Sequence, residues 1–269
     1  MTSPDPRSLA SRRTLALELI AQAGDVLRQG FGQRKDIRLK GAVDPVTQFD
    51  HQSEALLVEG LERAFPGDAI LAEERGGSSD RPWAWHVDPL DGTVNFAHGV
   101  PIFVVSVGLA FEGQPVLGAI LDPMRNELFE ASLGQGARLN GQEIRVSSAS
   151  DLLHSLLVTG FGYDVQTNPD NNFREFGEFH LRARAVRRLG AAALDLAYVA
   201  AGRFDGYWEL EMKSWDLAAG VVIVREAGGM VTQLDGSSDM LRGPLSLVAS
   251  NGRIHSEMLG LLASLRSLR

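Results

Sequence analysis

The stretch Trp85-His-Val-Asp88-Pro-Leu90-Asp91-Gly92-Thr93-Val-Asn95-Phe-Ala-His98 decides how the rest of the chain is read. It opens as a strand, because Trp83 to Val87 is aromatic and β-branched, and Pro89 is expected to stop it. Two carboxylates, Asp88 and Asp91, then stand three residues apart at the strand end, and Gly92-Thr93 follows as a turn into a short helix. Carboxylates bind hard cations such as Mg²⁺ through oxygen. A helix start presents free N–H groups to an anion. Metal ligands beside a phosphate cradle point to phosphoryl chemistry.

Composition sets the limits around that stretch. With 269 residues the chain holds one large domain or two smaller ones packed together. A small polar break, Ser147-Ser-Ala-Ser-Asp151, suggests halves 1–148 and 149–269. The formal net charge of −8 argues against nucleic acid held on a broad basic face. The absence of cysteine excludes disulfides, thiolate nucleophiles and Cys-ligated zinc, and fits a reducing cytoplasm. Met1 to Arg7 is polar and proline-broken, so no signal peptide is read there. Apolar runs such as Ile102 to Phe111 fall far short of the roughly 20 residues that span a bilayer, so a membrane partner is not expected.

In chain order, Ser8 to Arg28 has a helical apolar face closed by Gly30 and Gly32. Gln33 to Val43 reads as a loop or ragged hairpin. Thr47-Gln-Phe-Asp50 is a capping-box start to a helix that closes at Pro66-Gly67. Ala69 to Ala72 is a strand ending in Glu73-Glu74. Beyond the central stretch, runs at Ile102 to Phe111, Val116 to Leu121, Asn126 to Ala131 and Ala137 to Leu139 form a β-meander. Gly134-Gln-Gly136 is an ordinary turn, since neither nucleotide-loop fingerprint is completed around it. Strands and helices then alternate. Helices are expected at Pro169 to Arg182, Gly190 to Ala201, Ser214 to Ala227 and Ile254 to Leu265, with strands at Leu156 to Thr159, Ala185 to Arg188, Gly206 to Glu209 and Leu245 to Ala249.

Glu73, Asp88, Asp91 and Asp216 lie at element ends, where open sheets gather ligand sites. Each alone has a plain structural role: Asp216 would complement a helix dipole, Glu73 would be a solvated turn acid. Spacing does not bring the four together. Thr47 reads as a helix cap, Trp83, Trp85 and His86 as strand packing, and His98 as support for the loop after Asn95.

Asp88-Pro-Leu-Asp91-Gly-Thr93-Val-Asn-Phe resembles the central signature of the inositol monophosphatase family, and Trp215-Asp216-Leu-Ala-Ala-Gly220 with Glu226-Ala-Gly-Gly229 resembles its second. Asp44-Pro-Val-Thr47 with Asp50, and Ala72-Glu73-Glu74, match two further blocks in order, so the resemblance runs over nearly the whole chain. It implies a mixed α/β (α+β) fold, a layered αβαβα sandwich like that of fructose 1,6-bisphosphatase. Glu73, Asp88, Asp91, Asp216 and the Leu90 carbonyl would hold two or three Mg²⁺ ions. Gly92 and Thr93 would offer N–H groups to phosphate, and the Thr93 hydroxyl paired with Asp44 would orient and deprotonate water. Glu209 and Ala192 would contact the alcohol, an acid accepting hydrogen bonds from a polyol. The chain departs from the family pattern at Pro45, Ala72 and Gly162, none of them a ligand position.

By this resemblance the activity is hydrolysis of myo-inositol monophosphate, with a homodimer as the assembly. The alternatives are the same chemistry on fructose 1,6-bisphosphate, histidinol phosphate or 3′-phosphoadenosine 5′-phosphate, where Arg187 and Arg188 would meet a second phosphate. A further alternative is a regulatory binding role in RNA transcription or processing. Lithium sensitivity is also implied. Activity titrated with Mg²⁺ should fall when Li⁺ is added, and a titration unchanged by Li⁺ contradicts it.

Overall fold

The computed structural model describes residues 4–40, 45–243 and 245–267. Helix α1 (Pro6–Gly30) starts where Asp5 accepts a hydrogen bond from Ser8 N at 3.0 Å, with Pro6 in the first turn where a missing N–H costs nothing. The polar stretch after it forms a short hairpin, β1 (Arg38–Leu39) against β2 (Pro45–Val46). Helix α2 (Gln48–Ala64) begins with the expected capping box of Thr47 and Asp50. Ile20 and Leu27 of α1 and Leu57 and Leu61 of α2 are fully buried against the first sheet.

That sheet is built from β3 (Ala69–Ala72), β4 (Gly76–Gly77), β5 (Trp83–Asp91), then, after the short helix α3 (Thr93–Ala97), β6 (Val104–Phe111), β7 (Gln114–Asp122), β8 (Glu127–Ser132), β9 (Ala137–Leu139) and β10 (Gln142–Glu143). The order is β10-β9-β8-β7-β6-β5-β3-β4, antiparallel except where β3 runs parallel to β5. Contrary to the sequence reading, Pro89 does not end β5. The strand continues to Asp91 through an irregularity in register between Asp88 and Asp91 opposite β6. A bulge tolerates a residue without an N–H, and it re-aims the side chains on either side of it.

The second half holds a 3₁₀ turn (Leu152–His154), β11 (Leu156–Thr159), α4 (Phe173–Arg182), β12 (Ala185–Arg187), α5 (Ala192–Ala200), β13 (Gly206–Met212), α6 (Ser214–Glu226), β14 (Met230–Gln233), β15 (Leu245–Ser250) and α7 (His255–Arg266). Its strands are ordered β12-β11-β13-β15-β14. Helix α4 starts later than expected from Pro169, and β14 is an added strand of four residues that pairs antiparallel with β15. Both differences fall on short segments, where periodicity carries little signal.

The layered αβαβα sandwich expected from the sequence is the one observed. Helices α1 and α2 cover the outer face of the first sheet, α5 and α6 lie between the sheets, and α4 and α7 cover the second. Helix α6 is apolar on every side from Leu217 to Val224, as a helix buried between two layers must be. Val104 and Ile120 of the first sheet share a continuous core with α5, α6 and Val158 and Leu247 of the second, across the polar break at Ser147 to Asp151. Among the described residues no helix is long and apolar enough to cross a membrane.

Close approach of α6 to the first sheet depends on glycine. A Cβ on Gly118 would lie 2.2 Å from the Ala219 carbonyl oxygen, and one on Gly108 would lie 2.7 Å from the Ala218 Cβ. Gly118→Ala should therefore lose about 2–3 kcal/mol of unfolding free energy, read from urea denaturation, because the obstructing atoms are backbone.

Candidate active site

Helix α2 contributes a row of polar side chains at Asp50, Ser53 and Glu54, buried on one face by their helical spacing. Each holds a different piece of the cleft. The Thr47 N–H and hydroxyl donate to Asp50 Oδ2 at 2.8 and 2.6 Å, while the Thr93 hydroxyl donates to Asp50 Oδ1 at 3.1 Å. Ser53 Oγ donates to the Pro89 carbonyl at 2.8 Å, fixing the bulged end of β5. Glu54 accepts from Glu74 N at 2.8 Å, fixing the turn after β3. Burial pushes the Asp50 carboxyl above its usual range, opposed by the hydrogen bonds from Thr47 and Thr93.

Gly92 turns the chain from β5 into α3 with φ of 95°, and a Cβ there would lie 2.9 Å from the Ile102 carbonyl oxygen. This sharp corner sets Thr93 at the helix start, where its hydroxyl lies 2.9 Å from the Leu90 carbonyl oxygen as well as reaching Asp50. A single hydroxyl proton serves one of these acceptors at a time, and the oxygen keeps a lone pair for a water. Asn95 donates to the Ile102 and Leu189 carbonyls at 2.8 and 2.9 Å, tying the corner to the chain just before α5.

The helices of the central layer reach the same cleft with their starts. Ala193 N donates to Asp91 Oδ2 at 2.7 Å, and Lys213 N donates to Asp216 Oδ2 at 2.7 Å. Helix starts carry partial positive charge, so both contacts favour ionised carboxylates. Lys40 donates to Glu73 Oε1 at 2.8 Å and Glu74 Oε1 at 2.7 Å. Buried His86 meets Ser214 Oγ at 2.8 Å and so links β5 to the first residue of α6.

Burial dominates the electrostatics, and repulsion among the acids adds to it. Asp88 is pushed well above the usual carboxylate range, first by burial and then by the charges of Glu73, Asp91 and Asp216. Asp91 is pushed up to about 7 by burial, against the opposing donors of Ala193 and Ala192. Asp216 is likewise raised by burial, against the opposing Lys213 N–H.

The structure brings Glu73, Asp88, Leu90, Asp91, Gly92, Thr93, Ala192, Glu209 and Asp216 to the walls of one cleft of about 130 Å³. Among the described residues no three His, Asp or Glu side chains are already gathered tightly enough to enclose a cation. The carboxylates share the cleft without closing on one point. Their chemistry nonetheless fits Mg²⁺, which takes oxygen ligands and keeps several waters. Asp44 lies outside the described residues; the carboxylate found on the Thr93 hydroxyl is Asp50. His98 is exposed at the end of α3.

From sequence Asp50 reads as a capping residue within a family block, with no contact to Thr93 assigned, and Ser53 and Glu54 carry no role. The available signal was three buried polar groups on the core-facing side of an amphipathic helix. Arg188 and Asp195 also line the cleft, Arg187 does not, and Glu209 accepts a hydrogen bond from the Tyr207 hydroxyl.

Fold and site thus define a five-layer α/β protein with a carboxylate-lined cleft against a glycine-threonine helix start. Residues 8–267 match the model of the inositol monophosphatase family. The sequence is 46% identical to an inositol-1-monophosphatase of Synechocystis over 96% of this chain and 91% of that protein. It is 40% identical to Nus factor SuhB of Pasteurella multocida, over 91% of this chain and 93% of that one. The structure superposes on an inositol monophosphatase from Anabaena with a TM-score of 0.86 at 41% identity, covering 96% of this chain and 97% of that one. The chain belongs to the inositol monophosphatase family.

Thr47 caps α2 while its N–H and hydroxyl hold Asp50. Thr47→Val should lower unfolding free energy by about 1–2 kcal/mol, the usual loss on removing a helix cap, in urea denaturation.

Proposed function

We propose that this protein hydrolyses phosphate monoesters with Mg²⁺, with myo-inositol monophosphate as its substrate. The observation that carries the reading is the Thr93 hydroxyl, hydrogen-bonded to buried Asp50 at the lip of the carboxylate cleft. Thr93 Oγ accepts a proton from water as its own passes to Asp50, the water oxygen attacks phosphorus in line with the leaving oxygen, the P–O bond to that oxygen breaks, and the departing alkoxide takes a proton from solvent water. The Gly92 and Thr93 N–H groups face the phosphate at the helix start, where donors are left without partners in the helix. Two or three Mg²⁺ ions held by Glu73, Asp88, Asp91, Asp216 and the Leu90 carbonyl would make water easier to deprotonate and the leaving oxygen easier to expel. No phospho-enzyme is formed.

At the alcohol end, Ala192 and Glu209 line the cleft beside Arg188. Glu209 is pushed up to about 7 by burial, against the Tyr207 hydroxyl and the Arg188 charge. An acidic wall suits hydroxyl donors and disfavours a second phosphate, which supports a polyol monophosphate over fructose 1,6-bisphosphate or 3′-phosphoadenosine 5′-phosphate. The homodimer rests on the family resemblance.

Similarity to proteins named Nus factor SuhB supports a second reading, in which the chain also acts by binding a partner of the transcription machinery. Catalysis is not needed for that role. An Asp91→Asn variant that loses hydrolysis yet supports the cellular phenotype would favour it.

Phosphate release should occur with myo-inositol 1-phosphate ahead of fructose 1,6-bisphosphate, histidinol phosphate and 3′-phosphoadenosine 5′-phosphate. Negligible turnover of the first ends the substrate assignment. Chelation of Mg²⁺ should abolish release and re-addition restore it. Asp50→Asn and Thr93→Val should each lower kcat by about 10²–10⁴, the range for losing general-base help, measured at saturating Mg²⁺.

A further inference from the structure

Asp195 stands in the first turn of α5, between the apolar Leu194 and Leu196. It is 1% exposed, and its Oδ1 has no hydrogen-bond partner. A buried carboxylate oxygen left unpartnered costs on the order of 1–3 kcal/mol or more, and an apolar residue would remove that cost. Residues kept at such expense concentrate at binding sites. Asp195 lines the same cleft as Ala192, Glu209 and Arg188, and its carboxyl is pushed well above the usual range by burial and by the charges of Glu209 and Asp91, with Arg188 opposing.

Every other acid of the cleft already has a donor. Asp91 has the start of α5, Asp216 has Lys213 N, Glu73 has Lys40, and Glu209 has the Tyr207 hydroxyl. Asp88 accepts from Leu90 N at 3.0 Å. Asp195 is the acid in this wall whose side-chain oxygen remains to be satisfied by something entering the cleft. Arg188, the basic residue among the cleft-lining residues, lies over Gly190, where a Cβ would stand 2.6 Å from its Nη1.

We infer that Asp195 is a specificity-determining residue, a second hydroxyl acceptor beside Glu209, so that the alcohol carrying the phosphate is a polyol with neighbouring hydroxyls. This rests on the phosphatase reading above and adds to it a residue and a required substrate feature. Two carboxyl groups on one wall match two hydroxyl donors of one ring, whereas a monohydroxy alcohol leaves Asp195 buried and unpaired. A site built to hydrogen-bond a hydroxyl rejects an analogue that lacks it far more strongly than an apolar pocket does.

The test compares myo-inositol 1-phosphate with cyclohexyl phosphate, which keeps the ring and the scissile bond but has no free hydroxyl. Wild-type enzyme should favour the polyol. Asp195→Ala should lower kcat/KM on myo-inositol 1-phosphate by about tenfold, the scale of one lost hydrogen bond, mostly through KM. Its rate on cyclohexyl phosphate should stay within about twofold of wild type, since no hydroxyl reaches Asp195 there. Its Tm should be unchanged or higher, because the unpaired carboxylate is gone. Asp195→Asn keeps an acceptor oxygen and should recover most of the polyol preference. Equal losses on both substrates, or a lowered Tm in Asp195→Ala, would mean a structural role and overturn the assignment. Polyol activity unaffected by Asp195→Ala would overturn it as well. If wild-type enzyme releases phosphate from neither ester, the phosphatase reading itself falls and takes the assignment with it.

Discussion

Like charges forced into one cleft are the constraint on which the rest of this structure depends. Asp88 is buried and feels Glu73, Asp91 and Asp216, so its ionised form is strongly disfavoured by the protein alone. The fold relieves this in part, with the start of α5 on Asp91, the Lys213 N–H on Asp216, and Lys40 across Glu73 and Glu74. A proton or a cation could supply the remaining relief, and among cations a hard oxygen-seeking one suits these donors. The middle layer follows from the same need. Helices α5 and α6 can direct their starts at the cleft only if they lie between the sheets, and Gly108 and Gly118 let α6 approach that closely.

Helix α2 performs a second task with ordinary parts. Asp50 closes a capping box with one oxygen and holds the Thr93 hydroxyl with the other. Ser53 and Glu54 hold the end of β5 and the turn after β3, so three backbone segments are aligned by one helical face. Stability and chemistry therefore share residues here. Such overlap holds the Thr93 hydroxyl, the end of β5 and the turn after β3 within small tolerances.

Much of the fold was legible in local pattern. Amphipathic spacing marks α1, the capping box marks the start of α2, and strand–helix alternation marks the second half. The errors were local. Pro89 reads as a strand end because proline lacks an N–H, yet the bulge before Asp91 needs none there. The short strand β14 follows Gly228-Gly229 and is defined by pairing with β15, a partner that no window around it contains. Glu73, Asp88, Asp91, Gly92, Thr93 and Asp216, which the family resemblance names, all line the cleft, while the contact of Asp50 with Thr93 is hidden in sequence because a capping role already accounts for Asp50.

The sequence by itself determined the class of elements, the apolar faces, and the chemistry available at each strand end and helix start. These are properties of short segments, set by side-chain type and period. The tertiary structure alone decided which of those ends meet. Glu73, Asp88 and Thr93 come from the first sheet and its following turn, Asp195, Glu209 and Asp216 from a stretch more than a hundred residues later, and they share a cleft because one core joins both sheets through α5 and α6. Juxtaposition over that distance depends on packing free energy spread across many buried side chains, which no local pattern records. The unpaired oxygen of Asp195 belongs to the same category: its meaning comes from what surrounds it.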